Sequence, residues 1–276
     1  MRLLRKITLE LENIGSHRSS PNCGHPNALI GRGMGNKYLL VLGVAVTLGG
    51  NNSWGFGLSD HSRMTQQAVM EYNLCARFPI DESAVSHLVH QNLDEDINLF
   101  LKWGKYSHYF HPEKALRDLH RLDASFRIID LLGESTREEL GHALHLLQDM
   151  ASPPHVVPVR HGLFDGFEAF DLTAAEMPPL KADDCRNQQA WRSTFRGDLL
   201  TLLDETALET LQRSKSPWAK QFWVESNSPA FGNYGYLGNS FGTAAYPRAV
   251  FTQFKARQIR LGIETTKKAL IWAYGL

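Results

Sequence analysis

Apolar residues recur every three or four positions in several long segments of the chain, which is the spacing of one face of an α-helix. This pattern predicts helices over residues 61–77, 112–132, 135–151, 188–213 and 250–273. Patterns that alternate apolar and polar residues are scarce, and no internal repeat is visible. The predicted fold class is therefore all-α, a single multi-helix domain with long functional loops between the helices.

The helix predicted over residues 135–151 has the clearest boundary signals. Ser135 followed by Glu138 forms a capping-box pattern at its start. Pro153 and Pro154 come just after it, and two successive prolines stop a helix.

The beginning of the chain shows a different pattern. Lys37 precedes an apolar run over residues 38–48, which small polar residues follow. A bilayer-spanning helix needs about 20 residues, so this run of 11 is too short for an anchor. The order of positive, apolar and small polar residues is typical of a secretory signal. A buried strand or helix at the start of the domain is the alternative.

We therefore expect a leader over residues 1–53 and a secreted or periplasmic domain over residues 54–276. A signal normally lies near the N-terminus, whereas this apolar run begins only after Met34. We expect that the residues before Met34 reflect an over-long start.

Composition and charge narrow the possible functions. The 276 residues are 43% hydrophobic, which is enough for a sizeable core, and the formal net charge is zero. Residues 54–276 carry 23 basic and 27 acidic residues, a net charge of −4, which argues against a strongly basic nucleic-acid binder. Cys75 and Cys185 are the two cysteines beyond the leader, and a disulfide or two separate thiols are both open. Ten of the 12 histidines follow residue 60, which points to metal or acid–base chemistry.

The strongest chemical signal begins with His145 and Asp149. Residues four apart on a helix project from the same face, so these two side chains can hold one metal ion. The two prolines then turn the chain, so that His155 can return toward the same place. For an isolated His-x3-Asp pair, a core histidine and an exposed aspartate would be the simpler interpretation.

Four further motifs favour a metal cluster over that interpretation, because imidazole nitrogens and carboxylate oxygens are common zinc ligands. They are Trp54 followed by His61, the run Asp94-Glu95-Asp96, the segment Ser107-His108-Tyr109-Phe110-His111-Pro112, and His161 followed by Asp165 and Glu168. Taken singly, each has another explanation; the run at residues 94–96, for example, could be a solvated helix N-terminus.

The order of these motifs resembles the zinc-dependent phospholipase C family, which shares an all-helical, three-zinc fold with fungal single-strand-specific nucleases. The resemblance runs from Trp54 to about Glu168 and continues loosely at residues 239–243. It implies a fold of that type and two or three Zn²⁺ ions per chain.

The resemblance also implies a ligand set for each ion. The first ion takes Asp96, His108, His145 and Asp149. The second takes His155, His161 and Glu168. The third takes His61, a bridging Asp149, and the amino nitrogen and carbonyl oxygen of Trp54. This last pair requires Trp54 to be the mature N-terminus; Asp165 is the alternative to Glu168.

The activity implied is hydrolysis of a phosphodiester, with Asp96 as the candidate general base. The relatives that cleave nucleic acid carry a Gly-Gly-Asn segment, which residues 155–161 lack. We therefore favour a phospholipase C that cleaves the glycerol–phosphate bond of phospholipids. Ile97 stands where choline-cleaving relatives have an aromatic residue, so the head group is open. Tyr109 and Phe164 are candidate substrate contacts, under a lipid head group or stacked on a base, and core packing is their alternative.

The expected partners are a phospholipid or another phosphodiester and a membrane surface, with no stable nucleic-acid complex and a monomeric chain. Two alternatives remain. The first is a nuclease-like phosphodiesterase, and the second is a non-catalytic, zinc-stabilised module that binds membranes or forms pores. Chelator-sensitive hydrolysis separates the enzymes from the module.

Overall fold

The computed structural model describes most of the chain beyond residue 55. The described residues are 56–98, 106–110, 123–133, 138–156, 167, 170–181, 185–214 and 248–276, with the backbone alone of 159–160 and 232–233. All of them belong to one compact unit, Asn51–Leu276.

The described residues are mostly helical, which agrees with the predicted all-α class. The α-helices are α1 Leu58–Asn73, α2 Glu82–Ile97, α3 Ala124–Gly133, α4 Leu140–Asp149, α5 Cys185–Thr194, α6 Leu199–Ser214 and α7 Arg248–Tyr274. A short 3-10 helix, Pro153–His155, follows α4. Two strands of two residues each, β1 Val159–Arg160 and β2 Gly232–Asn233, pair in parallel.

Helix α2 is absent from the sequence prediction because its buried face is largely polar. Its buried residues include Gln91, Asn92, Glu95 and Asp96, and Leu88 is the apolar one among them. The Asp81 carboxylate caps its start by accepting a hydrogen bond from the backbone N–H of Ala84, 2.9 Å away. A helix that buries polar side chains shows no apolar stripe.

The predicted start of α4 is wrong by five residues, because a neighbouring helix supplies the cap. The helix begins at Leu140, and Glu139, at the capping position, makes no capping bond with its side chain. Instead the amide of Gln91 in α2 accepts from the backbone N–H of Gly141 at 3.1 Å. The same amide donates to the carbonyl of Glu138. A predicted Ser135 cap is therefore not needed, and Ser135 itself lies outside the described residues.

Other boundaries differ less. Helix α7 matches the prediction closely, and α1 begins three residues earlier than predicted and ends at Asn73. The segment predicted as one helix over 188–213 is divided into α5 and α6, because Asp198 accepts from Thr201 N–H at 3.0 Å and starts a new helix. Of the predicted 112–132 helix, the described part is α3.

Helix α4 lies at the centre of the core. All ten of its residues are buried, and it contacts α1, α2, α3, α6 and α7. At Gly141 it comes so close to α2 that an added Cβ would lie 2.5 Å from the carbonyl oxygen of Leu88. The polar residues of this helix are therefore held in fixed places by close packing.

Two long-range ties close the domain around α1. Cys75, just after α1, forms a disulfide with Cys185 at the start of α5, so the paired alternative is the one observed. Glu71 in α1 is fully buried and pairs with Arg260 at 2.7 Å and Lys267 at 3.3 Å, both in α7. Among the described residues, no helix is both long and apolar enough to cross a membrane.

Candidate metal centre

Six predicted ligands come together from five separate elements. They are His61, Asp96, His108, His145, Asp149 and His155. His61 lies in the first turn of α1 and Asp96 in the last turn of α2, while His145 and Asp149 lie one turn apart in α4. His108 comes from the segment 106–110, and His155 ends the 3-10 helix.

Asp149 is the centre of this arrangement, and it is completely buried. Its Oδ2 lies 3.1 Å from His108 Nδ1 and 3.2 Å from His145 Nε2. Its Oδ1 lies 3.3 Å from His61 Nε2 and 3.7 Å from His155 Nε2. The interpretation of Asp149 as an exposed residue is therefore wrong, since one carboxylate here faces four imidazole rings.

The donor atoms form two overlapping groups, each compact enough to hold a metal ion. The first consists of His108, His145 and Asp149, and the second of His61, Asp96 and His145. The His61 and His145 rings stack with their centroids 4.2 Å apart. The resemblance puts Asp96 and His61 on different ions, whereas here both approach His145.

The short distances around Asp149 are not ordinary hydrogen bonds. Among the described residues, no donor has hydrogen-bonding geometry to either carboxylate oxygen of Asp149, and His61 Nε2 has no hydrogen-bond partner. Buried polar atoms normally have partners, so unpaired donor atoms that face one another indicate a ligand site. These buried His and Asp side chains can hold a metal ion.

The electrostatics keep the carboxylate charged. Burial opposes ionisation of Asp149, but the surrounding histidines, first His155 and then His145, outweigh it and hold the pKa of Asp149 well below its usual range. Burial lowers the pKa of His145 below its usual value. Burial also disfavours charge on His61 and His108, but Asp149 outweighs it and raises the pKa of both rings.

Gln148 fixes the ring of His61. His61 Nδ1 donates to Gln148 Oε1 at 2.8 Å, which leaves Nε2 to face Asp149. The Gln148 amide is itself held, because its Nε2 donates to Thr65 at 2.9 Å and to Thr266 at 3.0 Å, and Asn92 donates to its Oε1 at 3.1 Å. Such outer contacts set the orientation and tautomer of a histidine that binds metal.

The His108 segment and the 3-10 helix hold each other in place. His155 Nδ1 donates to the carbonyl of His108 at 3.1 Å, and the backbone N–H of Phe110 donates to the carbonyl of His155 at 2.9 Å. The Phe110 hydrogen bond joins the backbone of the two segments. The hydrogen bond from His155 Nδ1 leaves His155 Nε2 on the side of Asp149.

Glu95 supports the centre from the other side of His108. Its carboxylate lies 3.8 Å from His108 Nε2, 2.8 Å from His142 Nδ1 and 3.0 Å from Arg127. Burial alone would raise the pKa of Glu95, but the His142 imidazole beside it and the charge of Arg127 lower it to about 2. Glu95 is thus an anion at every physiological pH.

Helix α2 reaches the surface just after Asp96. Asp96 is 9% exposed, and the next residue, Ile97, is 59% exposed. The interpretation of residues 94–96 as a solvated helix N-terminus is wrong, because they end α2 and Glu95 and Asp96 are buried. Tyr109 is half-buried nearby, and burial raises the pKa of its hydroxyl. Phe110 is part of the hydrophobic core.

Several predicted residues lie outside the described residues, so the structure gives no position for them. They are the predicted ligands Trp54, His161 and Glu168, the alternative ligand Asp165 and the candidate substrate contact Phe164.

Sequence reasoning missed Gln148, and it included Glu95 only as part of the run at residues 94–96, without a role of its own. Gln148 has a signal in the sequence, since it is an uncharged polar residue inside a helix that is otherwise apolar apart from its histidines and Asp149. Glu95 has only its position beside Asp96, and its role depends on which helix faces α2.

Comparisons with known proteins do not identify a family for the chain. No model of a protein family matches the chain, and neither curated proteins nor solved structures gave a match.

Proposed function

We propose that this protein is a zinc-dependent phosphodiester hydrolase of the phospholipase C type. The observation that carries the proposal is the buried Asp149 carboxylate with four imidazole nitrogens 3.1–3.7 Å from its oxygens. One ion needs three or four ligands, and six donor residues are too many for a single site. This favours two or three ions in one centre, the arrangement used in many enzymes that hydrolyse phosphate esters.

The spacing of the donor atoms fits zinc. Ligands about 2.0–2.1 Å from a tetrahedral ion lie about 3.3 Å from one another. His145 Nε2, His108 Nδ1 and Asp149 Oδ2 form a triangle with sides of 3.1, 3.2 and 3.3 Å. Nitrogen and carboxylate ligands without thiolates are typical of a catalytic site, and Cys75 and Cys185 are tied up in the disulfide.

When bound, zinc would polarise the phosphoryl oxygens and lower the pKa of a coordinated water. The chain's own contribution begins with Gln148, which keeps the Nε2 lone pair of His61 available. Asp149 would supply negative charge to an ion bound beside it. Asp96 would accept a proton of the attacking water as general base. The water oxygen would bond to phosphorus as the bond from phosphorus to the glycerol oxygen breaks, and the proton held by Asp96 would then pass to the glycerol oxygen.

A lipid substrate is supported by exposed apolar residues. Ile97, the residue after Asp96, is more than half exposed, and Phe126 in α3 is 44% exposed. Apolar residues on the surface suit contact with a membrane more than contact with a polynucleotide. The proposed protein is a secreted or periplasmic monomer that binds at the surface of a membrane.

The test is hydrolysis by the zinc-loaded full chain of three substrates: vesicles of phosphatidylcholine and phosphatidylethanolamine, bis-p-nitrophenyl phosphate, and single-stranded DNA. We expect release of diacylglycerol that a chelator abolishes and zinc restores, and loss of turnover in Asp96→Asn. DNA cleavage without lipid cleavage would favour the nuclease alternative. Bound zinc with no turnover on any substrate would favour the non-catalytic module.

A further inference from the structure

A second buried carboxylate lies beside the ring nitrogen of His108 that does not face Asp149. Glu95 in α2 is 1% exposed, and its two oxygens have different neighbours. Oε1 lies 2.8 Å from His142 Nδ1 and 3.0 Å from the guanidinium of Arg127. Oε2 lies 3.8 Å from His108 Nε2. Helices α3 and α4 therefore hold one oxygen of Glu95, and the other oxygen faces the His108 ring.

The His108 ring thus lies between two carboxylates. Its Nδ1 is 3.1 Å from Asp149 Oδ2 and 3.3 Å from His145 Nε2, and these three residues form one of the groups that can hold an ion. Its Nε2 is buried, and no atom of the described residues has hydrogen-bonding geometry to it. The two ring nitrogens therefore have separate surroundings, and Nδ1 is the one that faces the other candidate ligands.

A histidine that binds metal through one nitrogen keeps its remaining proton on the other. The nitrogen that binds must be free of a proton, and a neutral imidazole has a single N–H. If His108 Nδ1 serves an ion, the N–H is at the buried Nε2 and needs an acceptor. The distance of 3.8 Å to Glu95 is longer than a hydrogen bond, but it puts negative charge next to that proton. A carboxylate is a common partner of metal-bound histidines.

Helix α3 holds both members of this contact in place. Arg127 of α3 pairs with Glu95, and its guanidinium lies 6.0 Å from the ring centroid of Tyr106, two residues before His108. The backbone N–H of Ala124, at the start of α3, donates to the carbonyl of Tyr109 at 3.2 Å. The carboxylate and the segment that carries the ring are therefore fixed to the same helix.

We propose that Glu95 is a positioning residue of the metal centre, which accepts the N–H of His108 at Nε2 and so assigns Nδ1 to the ion. This rests on the proposed zinc centre and extends it. Glu95 belongs to neither group of donor atoms that can hold an ion, and it acts through His108. Arg127 and His142 keep the Glu95 carboxylate in place.

The first test measures zinc affinity of the full chain by competition with a chromogenic chelator, in the wild type, Glu95→Gln and Glu95→Met. We expect Glu95→Met to bind the ion held by His108 about 100-fold less tightly. Glu95→Gln keeps an acceptor oxygen but loses the charge, and should bind it about 10-fold less tightly. Glu139→Gln is a matched control, because the Glu139 carboxylate lies 3.5 Å from the other ring nitrogen of His142. It should keep the wild-type affinity.

The second test separates positioning from a purely structural role. It follows the Nε2–H resonance of His108 by NMR in the zinc-saturated chain labelled with ¹⁵N-histidine. In the wild type this proton should be shifted downfield and protected from exchange with solvent, and Glu95→Met should lose both properties. Glu139→Gln should retain them. A change that only loosens the fold would not act on this one resonance.

Wild-type zinc affinity in folded Glu95→Met would overturn the role of Glu95, and Glu95→Gln decides if the methionine variant does not fold. Weaker zinc binding with an unchanged His108 resonance would also overturn it, since Glu95 would then act through the fold alone. Failure of the wild-type chain itself to bind zinc would overturn the proposed function, and this role with it.

Discussion

Replacing Gln148 with methionine tests whether the tautomer of His61 matters to the centre. The change keeps the length of the side chain but removes four hydrogen bonds inside the core, to His61, Asn92, Thr65 and Thr266. His61 Nδ1 then has no acceptor, and the ring is free to place its proton on Nε2. A ring protonated at Nε2 cannot bind metal with that nitrogen.

The substitution should lower both the stability of the metal-free chain and its affinity for zinc. The ring of His61 and one N–H of Asn92 lose their acceptor, and each unpaired buried group costs about 1–3 kcal/mol. We therefore expect the free energy of unfolding of the metal-free chain to fall by about 2–6 kcal/mol. Loss of an outer contact to a metal-bound histidine typically weakens binding about 10- to 100-fold. For the ion held by His61, this corresponds to about 1.4–2.8 kcal/mol.

The assay pairs urea denaturation of the metal-free protein with zinc competition against a chromogenic chelator. Gln67→Met is the matched control, since Gln67 is a buried glutamine of α1 whose partners are Glu71 and the carbonyl of Pro178. It should lose stability and keep its zinc affinity. Gln148→Glu retains an acceptor for His61 Nδ1 and should bind zinc more tightly than Gln148→Met. Wild-type zinc affinity in folded Gln148→Met would refute this account of His61.

Three further predictions follow from other contacts. Asp149→Asn should reduce the zinc content measured by elemental analysis to less than one ion per chain. Asp204→Asn, at an exposed position of α6, should leave the zinc content unchanged. Unchanged zinc content in Asp149→Asn would contradict the role of Asp149 as a ligand shared by two ions. Reduction of the disulfide between Cys75 and Cys185, which are 110 residues apart, should lower the free energy of unfolding by about 3–5 kcal/mol, and a Cys75→Ser, Cys185→Ser variant should not respond to the reductant. Burial alone would raise the pKa of Glu71, but the hydrogen bonds from Arg260, Lys181 and Gln67 together outweigh it and hold the pKa of Glu71 below its usual value. The stabilisation is therefore present above the pKa of an unfolded glutamate and is lost as the pH falls through the folded pKa. Glu71→Gln should therefore unfold with less urea at pH 7 and show a flatter stability profile below pH 4.5; an unchanged profile would mean that Glu71 is not the group responsible.

The sequence predicts those parts of the molecule whose signals are local. Helix α7 follows from its periodicity, and the pairing of His145 with Asp149 follows from their spacing on one helix. That His61 and Asp96 lie close to His145 is predicted only by the order of the motifs and their resemblance to a family. No short-range sequence signal predicts this contact.

The features that the sequence does not predict depend on which helices are neighbours. Helix α2 is missed because it buries Asn92 and Asp96 rather than an apolar stripe. The start of α4 is predicted too early because its cap comes from Gln91 in another helix. The complete burial of Lys255 in α7, where it pairs with Asp60 at 2.9 Å, has no signal of its own, since a lysine in a long helix is normally a surface residue.

Residues that are far apart along the chain meet in the core, and this affects when during synthesis the core can form. Gln148 and His61 are 87 residues apart, Lys255 and Phe167 are 88 apart, and Arg260 and Glu71 are 189 apart. Contacts between such distant residues form slowly, because the chain loses the entropy of closing long loops before the stabilising contacts have formed. Helix α1 cannot complete its packing until the ribosome has made α7. We therefore predict that the side chains able to hold a metal ion are fully packed only after synthesis of α7, so that metal loading is a late event.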